Sequence, residues 1–399
     1  VREDLTLERF EYRYVIDGTP MTLSGRSDGA RLEVTAVTGG RPFEQQYPIA
    51  GKLYPSSAIN LMPAYLGLKV GAEYAYTVYD GENQKMGEVT QKVLAWETSE
   101  LFQGPAFKVV TRLHGLETTT WMDELARPLF ELAMNGVMIS ALETEAQAKR
   151  YLAAASLNKE EALVEFSRVK PDRPIPRARD VVALGLAIQG LPAGTEFPSG
   201  AGQTCAPGAE GMRCEIRAVD PANLPRGGGA ATAPDPKLLR PSLNVQSTDP
   251  AVGQLTRRIL GTERGRLAQV RMLVAWIQDN VKREPVDVFS ALDVLAAGRA
   301  ECQGHAWLYA ALARNAGIPT RMVSGLVYSD ELGGFLYHSW NESLVDGAWL
   351  PVDATFGQVG ADATHIRMLE GDTLADMLPL VNWVGRLKIQ VGAVEYAAR

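Results

Sequence analysis

The sequence predicts a multidomain protein with a β-rich N-terminal half and an α+β C-terminal domain. Three observations support this fold class. The first 155 residues contain short runs of alternating apolar and polar residues, which are typical of antiparallel strands with one covered face. From about residue 264 the apolar residues recur every three or four positions, which is typical of helices. The length of 399 residues also exceeds the roughly 150 residues usual for one domain.

The first half is expected to consist mainly of strands. Five segments rich in Tyr, Val and Thr have the alternating pattern, and they cover residues 9–16, 31–37, 73–80, 87–96 and 106–113. Two more strands are expected on either side of the ELARP turn within residues 118–140, and a short helix follows over 144–155. We therefore assign residues 1–155 to a β-rich N-terminal domain.

The rest of the chain divides at a stretch in which Pro, Gly and Ala are concentrated. Residues 156–220 again have a β-rich pattern and form a predicted middle segment, with an apolar strand at 181–188. Residues 221–242 offer few side chains for burial, which is typical of a linker or a long surface loop. The C-terminal domain is then expected at 243–399.

Charge and hydropathy exclude several classes of partner. The net charge is −7 and the acidic and basic residues are interspersed, so the chain has neither a basic footprint for nucleic acid nor a polybasic run for an anionic membrane surface. No apolar run approaches the roughly 18 to 20 residues of a membrane-spanning helix. No calcium-loop pattern occurs, and we predict neither a metal nor a cofactor.

The chain has three cysteines, and two of them are close together. Cys205 and Cys214 lie in a Gly- and Pro-rich stretch, where a disulfide would link the two sides of a turn. In a reducing cytosol the same two thiols would stay free, so both states are open. A disulfide here would place the protein in a periplasm or outside the cell. Cys302 is left over.

Cys302 lies at the start of a predicted helix. The run from Cys302 to Asn315 is rich in alanine, and Gly317 and Pro319 follow it as helix-stop signals. Another helix is predicted upstream, over 264–282. The N-terminus of a helix presents unpaired N–H groups and a partial positive charge, which favour a thiolate over a thiol. Cys302 is therefore a candidate nucleophile, with inert packing as the alternative.

A predicted hairpin brings a histidine close to an aspartate. Three strand-like runs follow the Cys302 helix, at residues 320–328, 334–345 and 348–356. The last two are joined by Asp346-Gly347, a strong signal for a two-residue hairpin loop. With that loop, paired residue numbers have a constant sum of 693, so Trp340 faces Asp353. His338 is then a diagonal neighbour of Asp353 on the same face, within reach of a hydrogen bond.

These positions suit nucleophilic acyl transfer. Cys302 would attack an acyl carbon, His338 would pair with the thiolate and later protonate the leaving group, and Asp353 would hold the imidazole tautomer. Backbone N–H groups at the helix start would stabilise the oxyanion. Gln303 is a candidate side-chain donor to the same oxyanion.

His305 and Trp340 are predicted to support the site, and metal binding is the alternative to nucleophilic catalysis. His305 is expected beside the site or beneath it, and Trp340 is expected to shield the site. A metal site formed by Cys302, His305, His338 and Asp353 is the alternative, because a Cys and a His three residues apart share a helical face.

Other polar residues are interpreted as structural. His114 has no adjacent nucleophile and is predicted to be structural. His365 lies in a polar stretch and is predicted to be a surface residue. Arg321 and Glu342 are expected to form a structural ion pair.

The motifs ECQGHAWLYAALARNAGIPTRMVSG and HSWNESLVDGAWLPVDAT resemble those of the transglutaminase-like superfamily. The shared features are a cysteine that opens a helix ending in Gly-Ile-Pro-x-Arg, a His-x-Trp-x-Glu strand, and an aspartate that closes a Trp-x-Pro-x-Asp strand. The resemblance covers about residues 243–356, a little over a quarter of the chain. It implies a papain-like α+β fold for the C-terminal domain and a triad of Cys302, His338 and Asp353.

The resemblance also implies an activity and a location. The superfamily includes transglutaminases, cysteine proteases and amidases, so we expect cysteine-dependent acyl transfer on peptide or protein amides. Hydrolysis is favoured slightly over transamidation, because nothing in the sequence marks an amine-acceptor site. The alternative is a non-catalytic envelope protein that binds or scaffolds a partner and carries the same module. Family habit, the Cys205 and Cys214 pair, and a first residue, Val1, that is not Met predict a periplasmic or secreted protein.

Overall fold

A computed structural model describes most of the chain. The described residues are all except 17, 100, 134–137, 147, 150–167, 210, 225–234, 287, 382, 384 and 399. Most of the predicted helix at 144–155 and the Gly-rich centre of the predicted linker lie outside the described residues. Within the described part of the chain, no helix is long and apolar enough to cross a membrane.

The chain begins with a four-stranded antiparallel sheet in which each strand pairs with the next. Its strands are β1 (Arg9–Ile16), β2 (Thr19–Ser27), β3 (Arg31–Thr38) and β4 (Arg41–Pro48). The predicted strands at 9–16 and 31–37 are confirmed. The prediction missed β2 and β4, because Pro, Gly and Gln interrupt the apolar alternation there. Alternate residues such as Leu23 and Leu32 are fully buried and form the core of this sheet.

A larger, seven-stranded sheet follows. Its strands are β5 (Leu53–Pro55), β6 (Glu73–Asp80), β7 (Lys85–Thr98), β8 (Pro105–Leu113), β9 (Leu116–Met122), β10 (Pro128–Ala133) and β11 (Met138–Ala141). The strands lie in the order β11-β10-β9-β8-β7-β6-β5, and only the β5–β6 pair is parallel among these strands. A short helix, α1 (Met62–Leu66), connects β5 to β6. The β-rich first half is therefore confirmed.

A third sheet combines the middle segment with the end of the chain. It contains β12 (Val181–Gln189), β13 (Gln203–Gly208), β14 (Gly211–Arg217) and the C-terminal strand β22 (Lys388–Tyr396), in the order β13-β14-β12-β22. Cys205 and Cys214 face each other across β13 and β14 and form a disulfide. The middle segment thus shares a sheet with the C-terminal residues. The predicted domain boundaries stay predictions.

The C-terminal part combines helices with a five-stranded sheet. The helices are α2 (Pro250–Leu260), α3 (Arg266–Asn280), α4 (Ala291–Ala297), α5 (Cys302–Asn315) and α6 (Leu374–Val381). The sheet contains β17 (Thr320–Ser329), β18 (Gly334–Val345), β19 (Ala348–Asp353), β20 (Gln358–Val359) and β21 (Ile366–Glu370), in the order β20-β19-β18-β17-β21. Two short parallel strands, β15 (Lys282–Arg283) and β16 (Arg299–Ala300), precede α5. The predicted helices at 264–282 and 302–315 are confirmed.

The helix α5 is the centre of this part of the fold. Every residue from Gly304 to Arg314 is buried, so neighbouring elements cover the helix on all sides. It packs against α2, α3, α4, β17 and β18. Small alanine side chains allow such close packing, because large residues on every face would hold the surrounding elements apart. The alanine-rich sequence of α5 therefore allows the helix to occupy this central position.

The hairpin of β18 and β19 has the predicted register. Val345 pairs with Ala348 and Asn341 pairs with Val352, so the constant sum of 693 holds along the ladder. Asp346 and Gly347 both have positive φ angles, of 51° and 88°, as a tight two-residue hairpin turn requires. The turn sequence therefore determines which residues of β18 face Asp353.

The disulfide is expected to stabilise the third sheet. Replacing both Cys205 and Cys214 with Ser should lower the free energy of unfolding by about 2–3 kcal/mol, because a short closed loop is lost from the unfolded chain. Urea unfolding of the wild type and the double variant would measure this difference. Cys302→Ser is the matched control, and an equal loss of stability in that variant would contradict the prediction.

Candidate active site

Cys302 is the first residue of α5. It follows Glu301, which has an extended backbone conformation and whose side chain accepts no hydrogen bond from the N–H groups of the helix N-terminus. The first N–H groups of the helix are therefore left for a ligand or for water. Gly304 allows the helix start to pack closely, since a Cβ atom there would lie 2.5 Å from the Cβ of Ala300. The site therefore has a partly exposed thiol at the positive end of a buried helix.

His338 joins the cysteine to the aspartate. It lies on β18 and is 6% exposed. Its Nε2 atom lies 2.7 Å from Oδ2 of Asp353, and Cys302 lies near enough for a thiolate charge to act on the ring. Because Nε2 is occupied by Asp353, Nδ1 is the ring atom left for the thiol. The ring also stacks on Phe356, with centroids 5.0 Å apart.

Asp353 is the last residue of β19 and is fully buried. Its Oδ1 accepts hydrogen bonds from the backbone N–H groups of Thr355 at 2.7 Å and Phe356 at 3.2 Å. Its Oδ2 lies 2.7 Å from Nε2 of His338 and 3.0 Å from Nε2 of His365. Four polar groups therefore surround one buried carboxylate, as a charge in a low-dielectric interior requires.

The charges of this cluster shift the pKa values of its members. Burial by itself lowers the pKa of His338, but the negative charges of Asp353 and of a Cys302 thiolate outweigh it and raise that pKa to about 10. Burial by itself raises the pKa of Asp353, but the two imidazoles outweigh it and hold that pKa well below its usual range. His338 is therefore an imidazolium, and Asp353 is ionised, at neutral pH.

The prediction that His365 is a surface residue is wrong. His365 is only 5% exposed, and it lies directly before β21. The strand β21 pairs with β17 immediately beside His338, and this approach requires glycine at position 325, because a Cβ there would clash with the carbonyl oxygen of Ile366. A polar stretch is usually exposed, but the polar groups around His365 are buried because they form hydrogen bonds with one another.

The side of His365 away from Asp353 contacts a second carboxylate. Its Nδ1 lies 3.1 Å from the backbone oxygen of Asp362 and 3.5 Å from Oδ2 of the same residue. Asp362 also forms an ion pair with Arg179 at 2.7 Å. Arg179 belongs to the middle segment, and its guanidinium lies 4.7 Å from the ring centroid of Phe356. The middle segment therefore contributes a side chain to the surroundings of the site.

A family comparison identifies the segment that holds the Cys, His and Asp. Residues 253–354 match the model of the transglutaminase-like superfamily. This segment is transglutaminase-like. The resemblance noted from the motifs is therefore confirmed for this part of the chain. The residues Arg179, Asp362 and His365 lie outside the matched segment.

Three solved structures are similar at low sequence identity. A candidate cysteine protease from Cytophaga hutchinsonii is 17% identical, with a TM-score of 0.33, over 58% of this chain and 86% of its own. The periplasmic domain of TgpA from Pseudomonas aeruginosa is 16% identical, with a TM-score of 0.32, over 48% and 87%. A candidate protease from Parabacteroides distasonis is 12% identical, with a TM-score of 0.23, over 90% and 72%. No curated protein matches the chain.

Three residues of the transglutaminase-like segment, Trp340, His305 and Gln303, are predicted to support the site. Trp340 is 2% exposed and lies nearly parallel to the ring of His338, with centroids 6.1 Å apart, and its role in shielding the site stays a prediction. His305 is buried one turn along α5, and its Nδ1 donates to the backbone oxygen of Glu301 at 2.9 Å. Gln303 is partly exposed beside Cys302, and its role as an oxyanion donor stays a prediction.

The predicted ion pair is confirmed and is part of a larger network. Arg321 contacts Glu342 at 2.6 Å, and the buried Arg367 contacts the same carboxylate. These ion pairs connect β17, β18 and β21, because each strand contributes one of the three residues. His114 lies far from this network in the seven-stranded sheet, where its Nε2 is 3.4 Å from Oδ2 of Asp80.

The alternative metal site is not assembled. Across the described ranges, one group of three potential ligands lies within 4.8 Å, and it consists of His338, Asp353 and His365, without Cys302 or His305. The atoms of this group are already at hydrogen-bond distances of 2.7 and 3.0 Å. Protons shared between the imidazoles and the carboxylate account for that arrangement.

A cavity of about 500 Å³ adjoins the site from the side of α3 and β15. His305 and Thr355 line it on the side of the Cys302 helix and the Asp353 loop. Lys282 and Arg283 line its other wall, and the guanidinium of Arg283 lies 5.1 Å from the ring centroid of Phe356. Arg283 thus connects the cavity wall to Phe356, whose ring stacks on that of His338.

The raised pKa of His338 predicts a pH-dependent contribution to stability. Because the pKa is about 10 in the fold and near 6.5 in the unfolded chain, the bound proton stabilises the fold fully below about pH 6.5. This stabilisation is lost as the pH rises through 10. The difference in free energy of unfolding between the wild type and His338→Gln should therefore shrink between pH 6 and pH 10.

Urea unfolding at several pH values would measure this difference. His114→Gln, which changes a histidine outside the site, is the control for general effects of pH on the fold. A stability difference for His338→Gln that stays constant from pH 6 to pH 10 would show that His338 gains no proton affinity on folding.

Proposed function

We propose that this protein is a cysteine-dependent enzyme that transfers the acyl group of a peptide or protein amide, with Cys302 as nucleophile. The single observation that carries the proposal is the position of His338, which lies 2.7 Å from Asp353 and near enough to Cys302 for the two side chains to interact electrostatically. The match of residues 253–354 to the transglutaminase-like superfamily supports the same chemistry.

The reaction proceeds through a thioester. The Cys302 thiolate attacks the amide carbonyl carbon, a C–S bond forms, and the carbonyl oxygen takes the negative charge. The imidazolium of His338 gives its proton to the amide nitrogen, the C–N bond breaks, and the amine leaves. His338, now neutral, removes a proton from water, the resulting hydroxide attacks the thioester, and the acid leaves as the thiolate returns. Asp353 keeps the imidazole in the required orientation throughout.

The start of α5 supplies the groups that stabilise the oxyanion. Backbone N–H groups at a helix N-terminus point outward and carry a partial positive charge. The backbone N–H of Cys302 is the first candidate donor, and the side chain of Gln303 is the second. Their role is to stabilise charge that develops only after attack, which lowers the barrier of the chemical step.

Hydrolysis is the preferred outcome in this proposal. Transamidation needs a second site for an amine, and the sequence marks none. An acceptor amine in excess should therefore compete poorly with water.

A cell-envelope location is part of the proposal. The Cys205–Cys214 disulfide is the observation that supports it, because disulfides of this kind persist in oxidising compartments such as a periplasm. Substrates would then be proteins or peptides of the same compartment. Both thiols found reduced in protein taken from its native compartment would count against this location.

Removal of the nucleophile tests the activity. Cys302→Ala should reduce hydrolysis of a fluorescently labelled casein by at least about 10³-fold, and Asp353→Asn by about 10²- to 10⁴-fold, because the first removes the nucleophile and the second its orienting group. The release of labelled peptides from casein, and the incorporation of a labelled primary amine into it, would be measured in parallel.

Cys205→Ser combined with Cys214→Ser serves as the control for loss of a thiol outside the site. Cleavage that survives in Cys302→Ala, in protein shown to be folded, would overturn the assignment of Cys302. A wild-type protein whose Cys302 reacts with iodoacetamide like a free thiol, with a pKa near about 8.5, would instead favour the non-catalytic binding role.

The proposal includes no metal. Dialysis against EDTA should leave the rate of casein hydrolysis unchanged, because Cys302, His338 and Asp353 supply the nucleophile, the acid and the orienting group. Loss of activity with EDTA and its recovery with Zn²⁺ would contradict the proposal.

A further inference from the structure

His365 is placed so that both of its ring nitrogens face oxygen atoms. Nε2 lies 3.0 Å from Oδ2 of Asp353. Nδ1 lies 3.1 Å from the backbone oxygen of Asp362 and 3.5 Å from its Oδ2. Carbonyl and carboxylate oxygens accept hydrogen bonds and do not donate them, so a neutral imidazole would leave one nitrogen lone pair against an oxygen. Protons on both nitrogens satisfy both contacts.

The charges around His365 favour the same protonation state. Asp353 and Asp362 are both buried, and together they place two carboxylates against the ring. The ring centroid of His338 lies 5.9 Å from that of His365. Asp362 also pairs with Arg179, which offsets part of its negative charge. Among the described residues, the other charged side chains that line the same small cavity as His365 are Glu342 and Arg367, which bond to each other, and Arg217, which pairs with Glu395. Burial lowers the pKa of His365, but the two aspartates outweigh burial and raise it.

The outer carboxylate is itself held firmly. Oδ1 of Asp362 accepts hydrogen bonds from the backbone N–H and the hydroxyl of Thr364, at 2.9 and 2.5 Å. Its Oδ2 accepts from Gln358 at 2.9 Å and pairs with Arg179 at 2.7 Å. Asp362 therefore has little freedom to turn away from His365.

We propose that His365 is a positioning residue for the triad, a buried imidazolium that bridges Asp353 to Asp362 and fixes the carboxylate that orients His338. This inference rests on the proposed function and extends the site beyond the Cys, His and Asp. Along the path from Cys302 to Arg179, negative and positive groups alternate: thiolate, imidazolium, carboxylate, imidazolium, carboxylate and guanidinium. The bridge fills the second lone-pair direction of Oδ2, so Asp353 cannot rotate away from His338.

The first experiment reads the protonation state directly. The chain has four histidines, so protein labelled with ¹⁵N in the imidazole rings gives few signals, and those absent from His365→Gln belong to His365. We expect the His365 ring to lose its proton at a higher pH than a free imidazole does. In Asp362→Asn we expect it to lose that proton at a lower pH than in the wild type. A neutral His365 ring in the wild type at pH 7 would overturn the proposal.

The second experiment reads the effect on Cys302. The rate of Cys302 alkylation by iodoacetamide would be followed by mass spectrometry from pH 4 to pH 9 in the wild type, His365→Gln and the control His114→Gln. Removing the positive charge and the bridge should raise the pH midpoint of the reaction by about one unit, so that alkylation below the midpoint slows about tenfold. The His114→Gln protein should keep the wild-type midpoint.

The outcomes separate the two proposals. An unshifted midpoint in folded His365→Gln would mean that His365 only fills space, and would overturn its positioning role. A wild-type midpoint like that of a free thiol would instead overturn the proposed function, while the ring-nitrogen signals would still report whether His365 is an imidazolium. A raised midpoint in His365→Gln with lost casein hydrolysis would support both.

Discussion

The buried carboxylate of Asp353 is the constraint on which the site depends. A fully buried carboxylate is stable only when its lone pairs are occupied, and removing one partner of such a buried pair typically costs about 3–5 kcal/mol. Two backbone N–H groups and two imidazoles provide the partners here. The two N–H groups come from the loop after β19, and the two imidazoles come from β18 and from the residue before β21, so these elements cannot shift relative to Asp353 without breaking at least one of these bonds.

The position of Asp353 depends on the same hairpin that positions His338. The tight turn at Asp346-Gly347 fixes the register of β18 against β19, and that register places His338 beside Asp353. The start of α5 places Cys302 near the same imidazole. In the proposed function, the helix end and the imidazolium stabilise a thiolate there, so groups that hold the fold together would also prepare the nucleophile.

The site extends further along the chain than the transglutaminase-like segment of residues 253–354. Arg179, which lies before the Pro/Gly-rich stretch, contacts Asp362 and packs on Phe356. The strand β12 that follows Arg179 pairs with the C-terminal strand β22. Through these contacts, the middle segment supports the loop that holds His365. The two N-terminal sheets contain none of the described residues of this cluster.

The sequence by itself determined the local geometry of the site. The alanine-rich helix with its Gly and Pro stop signals, and the Asp-Gly hairpin with its fixed parity, depend on interactions between residues close in sequence, so Cys302, His338 and Asp353 could be placed in advance. Only the tertiary structure decided the position of His365, the contact of Arg179 and the pairing of β12 with β22. These depend on contacts between residues that are distant in the chain, and no periodicity signals them. His365 stands in a polar stretch that would be exposed in most proteins, and it is buried here because two carboxylates are buried with it.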